Sequence, residues 1–227
     1  MHVGLLVAGH LPEGMQAQVG DYDKLYERLL ASEGIELTPY PVVDDVFPDN
    51  VHAAEGWLIS GSRYGAYEDL PWIPKLEQFI RDAYAESVPL VGICFGHQII
   101  AQALGGKVEK FDKGWAVGHH AYEWQGDPVI LNAWHQDQIT ELPDEATVIA
   151  SSPFCDYAAL VYGDKAFTVQ AHPEFDAEAT RILLETRAPG LVPDPQIKAA
   201  LSTLDSPIDD KLLARKIGDF FKEVRDV

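Results

Sequence analysis

Short apolar runs alternate with amphipathic segments along the first half of the chain, and this alternation limits the folds that it can adopt. Residues 3–8, 56–60 and 88–93 are almost wholly apolar, as strands buried on both faces are. Between 72 and 87, apolar side chains recur at helical spacing: Ile73, Leu76, Phe79, Ile80 and Tyr84. Strands that alternate with helices form parallel units in a sheet covered on both faces. We therefore predict an α/β fold with a mostly parallel central sheet flanked by helices.

The second half of the chain differs in character. Residues 107–171 are rich in Val, Trp, Tyr and Thr and contain a Gly163-Asp164 turn, which predicts hairpins added to the sheet. Helices are predicted again from Asp176 onward, and a helix from about Asp21 follows a loop rich in Gly and Pro. No internal repeat or linker interrupts the sequence, so we expect a single domain over residues 1–227.

The charge balance and the termini exclude several classes of protein. Seventeen basic residues stand against thirty-six acidic ones, for a formal net charge of −19. Nucleic-acid-binding proteins carry basic patches, so this balance argues against DNA or RNA as a partner. No apolar run reaches the roughly 18 residues of a membrane span, and the N-terminus lacks the cationic start of a signal peptide. With only Cys94 and Cys155 and no disulfide framework, we expect a cytoplasmic protein without a membrane partner.

Cys94 lies between a predicted strand and a predicted helix, in the segment Gly92-Ile93-Cys94-Phe95-Gly96. This is the context of a nucleophile elbow, with Cys where many hydrolases have Ser. Small neighbours let strand and helix approach, and the helix N-terminus favours a thiolate over a thiol. The N–H of Phe95 would point to where an oxyanion forms. Taken alone, the pattern is equally consistent with a buried structural cysteine.

His172 is the candidate acid and base among the eight histidines. Residues 166–171 are predicted to form a strand that ends in His172-Pro173-Glu174. In an extended chain, side chains two residues apart point to the same side, so Glu174 would hold one imidazole nitrogen while the other faces Cys94. His-Pro-Glu alone also fits a polar strand end. The elbow and this motif both follow predicted strands, where open α/β sheets place their sites.

Three blocks resemble the class I glutamine amidotransferase superfamily: Gly-Ile-Cys-Phe-Gly-His-Gln at 92–98, Ala-Leu-Gly-Gly at 103–106 and Gln-Ala-His-Pro-Glu at 170–174. The resemblance implies a flavodoxin-like sheet with an antiparallel hairpin extension. It also implies a Cys94, His172 and Glu174 triad that attacks the side-chain amide of glutamine. The products would be ammonia and, through a γ-glutamyl thioester, glutamate.

The resemblance also implies positions for the rest of the site. The second oxyanion donor would be the N–H of Gly61 or Ser62, and the amino and carboxylate groups of the substrate would be held by Gln98, Trp134, His135 and Gln136. Family members linked to a synthetase commonly have Gly-Gly-Pro in the oxyanion loop, whereas this chain has Gly-Ser-Arg at 61–63. The sequence is therefore more similar to the stand-alone branch, which includes γ-glutamyl peptidases.

The predicted partners are few. We expect a small glutamine or γ-glutamyl substrate, with a synthetase chain as a possible partner, and we expect no cofactor. His119, His120 and His135 do not have the spacing of a zinc site, so no metal site is predicted. Two other functions stay open: a γ-glutamyl peptidase that needs no acceptor partner, and a non-catalytic ligand-binding or regulatory module on the same fold.

Overall fold

The structure is a computed structural model that describes residues 1–223. Its strands are β1 His2–Leu6, β2 Glu36–Tyr40, β3 Trp57–Ile59, β4 Leu90–Ile93, β5 Lys107–Lys110, β6 Ala116–Trp124, β7 Asp127–His135, β8 Asp137–Glu141, β9 Thr147–Ser151, β10 Ala159–Tyr162 and β11 Ala166–Val169. Its helices are α1 Glu13–Val19, α2 Tyr22–Leu29, α3 Trp72–Ala85, α4 Phe95–Ala103, α5 Ala177–Thr186, α6 Asp194–Thr203 and α7 Asp210–Lys222, with a 3-10 helix at Val42–Asp44.

Within the described residues, nine strands form one sheet in the order β2-β1-β3-β4-β11-β10-β9-β6-β7. The five strands from β2 to β11 are parallel, and β10, β9, β6 and β7 extend them in antiparallel pairs. Strands β5 and β8 form a separate antiparallel pair. The predicted mostly parallel sheet with an antiparallel extension is confirmed.

Helices cover both faces of the parallel region, as the apolar strands predict. On β3, Leu58 belongs to the core cluster that includes α2, α5 and α7, whereas Trp57 and Ile59 belong to the cluster that includes α3 and α4. Side chains of a strand point alternately to the two faces of its sheet, so each face is buried against its own layer of helices. Strands β4 and β11 are therefore central, and their C-terminal ends hold the residues described below.

Two local predictions were wrong. The segment before Asp21 was expected to be a loop, but residues 13–19 form α1, which buries Met15 and Val19. The chain after β11 was expected to stay extended through Glu174. Instead, His172 forms an isolated bridge with Asn132, and the two residues that follow it form a turn.

Among residues 1–223, no helix combines the length and the apolarity that crossing a membrane requires. The predicted domain over residues 1–227 includes residues 224–227, which lie outside the described residues, and a single domain stays a prediction.

Candidate active site

Cys94 lies at the junction of β4 and α4 in a strained backbone conformation. Its φ of 53° and ψ of −102° place it outside the regions that residues other than glycine favour. Its N–H donates to the carbonyl of Val169 at 2.8 Å, which ties the turn to the end of β11. Strain of this kind persists only where surrounding contacts enforce it, and here the neighbouring strand supplies such a contact.

The glycines on either side of Cys94 are required by close packing. A Cβ on Gly92 would lie 2.4 Å from the carbonyl oxygen of Gly96, and a Cβ on Gly96 would lie 2.2 Å from the carbonyl oxygen of Ile59. Both distances are too short for any side chain. The two glycines therefore let α4 leave the sheet directly after Cys94, with the cysteine as its N-cap residue. Because the first N–H groups of a helix lack intrahelical acceptors, this end of α4 favours negative charge.

His172 and Glu174 form a buried pair at the same edge of the sheet. The imidazole Nδ1 lies 2.7 Å from Glu174 Oε1, and the exposed fractions of the two residues are 2% and 6%. A carboxylate can only accept, so Nδ1 carries the proton and donates. The other ring nitrogen, Nε2, has no hydrogen-bond partner of standard geometry among the described residues. The predicted pairing is present, although a turn produces it and not the extended chain that we expected.

Two opposing effects act on the charge of His172. Burial lowers the pKa of the imidazole, but the neighbouring Glu174 carboxylate and the Cys94 sulfur more than offset this effect. The net result raises the pKa of His172 well above its ordinary value of 6.5. An imidazolium beside the sulfur is therefore the favoured state at neutral pH, and it can donate a proton to a leaving group.

Tyr26, on α2, supports the pair from a distant part of the sequence. Its fully buried hydroxyl donates to Glu174 Oε1 at 3.1 Å, so the same oxygen accepts from Tyr26 and from His172. No sequence motif marked Tyr26 as part of the site. The signal was its position one turn after Tyr22 on a predicted amphipathic helix, where both tyrosines face inward.

Phe175 and Asn132 hold the histidine ring and backbone. The rings of His172 and Phe175 are stacked, with centroids 4.1 Å apart and planes 3° from parallel. The His172 N–H donates to the Asn132 carbonyl at 2.8 Å, and the Asn132 amide donates to the Phe175 carbonyl, also at 2.8 Å. The Tyr22 ring stacks against Phe175, with centroids 6.4 Å apart. No sequence motif marked any of these three residues as part of the site.

The predicted oxyanion loop follows β3 and lies beside the imidazole. A Cβ on Gly61 would be 2.9 Å from His172 Cε1, so only glycine fits there. Ser60 Oγ accepts from the Ala8 N–H at 2.9 Å and donates to the Gly61 carbonyl at 2.9 Å. Ser62 Oγ donates to the Ala8 carbonyl at 2.8 Å. Ala8, just after β1, therefore fixes the loop. The role of this loop and that of the Phe95 N–H in binding an oxyanion stay predictions.

Cys94 lines a cavity of about 980 Å³, and the predicted substrate-binding residues line it too: Gln98, Trp134, His135 and Gln136. The Gln98 amide donates to the Asp137 carbonyl at 2.9 Å and to Gln170 Oε1 at 3.0 Å, which fixes its orientation. Gln136 donates to the Phe111 carbonyl at 3.2 Å. The Trp134 carbonyl lies 3.9 Å from Cys94 Sγ. The four residues line the same cavity as the sulfur, and their role in binding substrate stays a prediction.

His135 is neutral in this cavity. Burial lowers the pKa of its imidazole to about 3, and its Nδ1 lies 3.3 Å from the Asp137 carbonyl. Since a carbonyl only accepts, Nδ1 carries the proton and Nε2 is a free acceptor; no hydrogen-bond partner for Nε2 occurs within residues 1–223.

Comparison with known proteins identifies the family. The model of the class-I glutamine amidotransferases matches residues 19–185, most of the chain. The chain belongs to this family. It is 30% identical to γ-glutamyl peptidase 3 of Arabidopsis thaliana over 223 residues, which span 90% of each protein. It is 38% identical over 140 residues to the glutamine-hydrolysing GMP synthase of Chromobacterium violaceum, and this match spans 54% of the chain and 25% of that protein.

A solved structure agrees on the fold of this class I glutamine amidotransferase. The glutamine amidotransferase of Methylobacillus flagellatus superimposes with a TM-score of 0.75 at 24% identity, over 97% of this chain and 91% of that one. The family model and the two relatives confirm the predictions of an enzyme and of its family.

His97 and Cys155 of this amidotransferase are buried in the core of the fold. His97 contacts Thr168 Oγ1 at 2.8 Å and the Tyr157 carbonyl at 2.9 Å, and burial lowers its pKa to about 3. Burial raises the pKa of the Cys155 thiol to about 12. Within the described part of the chain, no group of three or more His, Cys, Asp or Glu side chains could hold a metal ion.

Proposed function

We propose that the chain hydrolyses the side-chain amide of a γ-glutamyl compound through a γ-glutamyl thioester on Cys94. The observation that carries this proposal is the grouping at one sheet edge of a cysteine on a strained turn and a buried, hydrogen-bonded His172–Glu174 pair. A nucleophile, a base and a residue that orients the base are the parts that acyl transfer through a covalent intermediate requires.

Each residue has one role in the proposed reaction. The Cys94 thiolate attacks the amide carbon, and the carbonyl oxygen becomes an oxyanion. The carbon–nitrogen bond then breaks as the His172 imidazolium gives its proton to the departing nitrogen, which leaves a thioester. Neutral His172 next takes a proton from water, which attacks the thioester and releases glutamate and the Cys94 thiolate. Glu174 accepts from Nδ1 throughout, so it keeps the tautomer and stabilises the imidazolium.

We propose that backbone N–H groups stabilise the oxyanion. The N–H of Phe95, at the start of α4, and that of Gly61 or Ser62 are the candidate donors, because the helix dipole and the rigid Ser60–Ala8 contact orient this region. Gln98, Trp134, His135 and Gln136 would hold the amino and carboxylate groups of the glutamyl part. Their position in the cavity beside the sulfur supports this assignment.

Of the possible departing groups, the comparisons favour an amino acid or peptide over ammonia. The chain matches γ-glutamyl peptidase 3 over 90% of both lengths, whereas it spans a quarter of the GMP synthase relative. We therefore propose a single-domain γ-glutamyl peptidase that acts in the cytoplasm without a synthetase chain. The similarity to GMP synthase supports the second candidate, a glutaminase that passes ammonia to such a partner.

Glutamate release from glutamine and from γ-glutamyl dipeptides tests these alternatives. The isolated chain should release glutamate from a dipeptide, and Cys94→Ala should abolish release while the circular dichroism spectrum and melting temperature stay close to those of the wild type. Full activity of Cys94→Ala would refute the thioester mechanism. Release from glutamine alone would favour the glutaminase. Binding of the dipeptide without turnover would indicate a ligand-binding module.

A further inference from the structure

The cavity at Cys94 is lined by two chemically different sets of side chains. The polar wall comes from the loop after β3, from α4 and from the junction of β7 and β8: Arg63, Glu68, Gln98, Gln136 and Asp137. The apolar wall comes from the residue before β6 and from the segment 175–191, which contains α5: Trp115, Phe175, Leu183 and Leu191. At about 980 Å³, the cavity is at the upper end of the usual range for ligand pockets, which is more than free glutamine needs.

The apolar wall lies on the side of the departing group. His172 must reach the departing nitrogen, and its ring is stacked on Phe175. From Phe175 the chain runs directly into α5, which carries Leu183, and Leu191 follows α5. A group expelled toward His172 therefore meets this wall, while the polar wall is left for the charged glutamyl end.

The inner part of the apolar wall is closely packed, whereas its outer end is exposed. The rings of Trp115 and Trp134 lie 5.6 Å apart and pack against a cluster that contains Leu184 and Ala188. Leu191, by contrast, is 57% exposed and is the most exposed large apolar side chain within residues 1–223. A large apolar residue exposed at the rim of a binding cavity is consistent with an apolar group of the ligand covering it.

One cation of the cavity lining has no side-chain partner among the described residues. Of the three lysine or arginine side chains that line the cavity, Arg63 lies over the Tyr64 ring and donates to its hydroxyl, and Lys110 interacts electrostatically with Asp137. Arg187, the residue after α5, is exposed, and its side chain forms no hydrogen bond, ion pair or ring contact with any described residue. In a chain of net charge −19, an unpaired arginine beside an apolar wall fits a carboxylate of the ligand.

From these observations we propose that the substrates are γ-glutamyl amino acids or peptides whose departing part has an apolar or aromatic side chain and a free carboxylate. The side chain packs on Trp115, Leu183 and Leu191, and the carboxylate pairs with Arg187. This inference rests on the proposed hydrolysis and adds the class of departing group. Glutamine makes none of these contacts, because its departing group is ammonia.

Four substrates separate the contribution of the apolar side chain to kcat/KM from that of the carboxylate. They are γ-glutamylphenylalanine, γ-glutamylglycine, the γ-glutamyl amide of phenethylamine, which lacks the carboxylate, and glutamine. We expect kcat/KM for γ-glutamylphenylalanine to exceed that for γ-glutamylglycine by about tenfold or more, since an aromatic side chain is removed from water. Arg187→Gln should lower kcat/KM for γ-glutamylphenylalanine by about three- to tenfold and leave the phenethylamide unchanged. Arg181→Gln is the matched control, because Arg181 is on the same helix but faces Asp205, and it should change none of the values.

The outcomes separate a failure of this inference from a failure of the proposed function. Equal Cys94-dependent hydrolysis of all four substrates would keep the proposed function and overturn the inference. So would an equal loss on the phenethylamide in Arg187→Gln, since a carboxylate contact cannot act on a substrate that has none. If none of the four is hydrolysed in a Cys94-dependent way, the proposed function fails and the inference fails with it.

Discussion

Replacing Tyr26 by Phe should weaken both the fold and the reaction, because it removes one hydroxyl from a buried carboxylate. Glu174 Oε1 accepts from Tyr26 at 3.1 Å and from His172 at 2.7 Å, while Oε2 has no partner among the described residues. Tyr26 therefore supplies one of only two hydrogen bonds to this carboxylate within residues 1–223. No water can replace the lost hydroxyl easily, since Tyr26 is fully buried.

The size of the effect follows from the charge of the acceptor. Hydrogen bonds to charged groups contribute about 1.5–3 kcal/mol, and the ring of Phe fills the same volume, so the loss is almost purely that of the hydrogen bond. We expect the free energy of unfolding to fall by about 1.5–3 kcal/mol. We also expect kcat to fall by roughly tenfold, with KM nearly unchanged, because Tyr26 orients Glu174 and contacts no substrate.

Urea denaturation and steady-state kinetics measure the two effects, and Tyr122→Phe is the control. Tyr122 is also buried, at 3% exposure, but its hydroxyl has no hydrogen-bond partner among the described residues. Its removal should leave stability and kcat unchanged or slightly improved. If the two variants lose equal stability, the effect of Tyr26→Phe belongs to tyrosine packing in general and the argument for Glu174 is wrong.

Three other changes test the site. Glu174→Gln removes a charge that raises the pKa of His172, so the alkaline limb of the kcat/KM profile should move to lower pH, with a smaller loss of turnover than in His172→Ala; an unmoved limb would contradict the assignment. Gly96→Ala would put a Cβ 2.2 Å from the Ile59 carbonyl, and thermal denaturation should show a loss of about 1–3 kcal/mol or more, whereas Gly14→Ala, in α1 with open space around it, should lose nothing. Iodoacetamide at neutral pH should label Cys94 and not Cys155, whose pKa burial raises to about 12; mass spectrometry of digests decides this, and labelling of Cys155 in the folded protein would refute it.

The elements that a short stretch of sequence determines could be predicted. The apolar runs predicted β1, β3 and β4. The elbow around Cys94 could also be predicted, because the glycines that its close packing requires can be read directly from the sequence. Helix α1 was missed because Gly14 and a length of seven residues make it a poor helix on its own. The signals for it were Pro12 before its first residue, Gly20 after its last one, and the spacing of Met15 and Val19.

The contact between His172 and Glu174 was predicted correctly, but from the wrong backbone conformation. Side chains two residues apart lie on the same side of a strand, and the sequence predicted a strand at these positions. In the structure, β11 ends at Val169 and the Phe175 N–H bonds back to the His172 carbonyl at 3.3 Å, so the two side chains meet across a turn. The His172 backbone pairs instead with Asn132 on β7, a tertiary contact that the local sequence does not show.

The residues that support the triad could not be predicted, because the contacts that define them join distant parts of the chain. Tyr26 and Glu174 are 148 positions apart, and nothing in either segment identifies the other. A helical pattern on α2 shows that one face is buried but not what lies against it. That face carries Tyr22, Leu25 and Tyr26, and it reaches the histidine through Phe175. Since Tyr26 contacts Glu174 through its hydroxyl and does not line the cavity, changes at this residue should alter turnover without altering the substrate cavity.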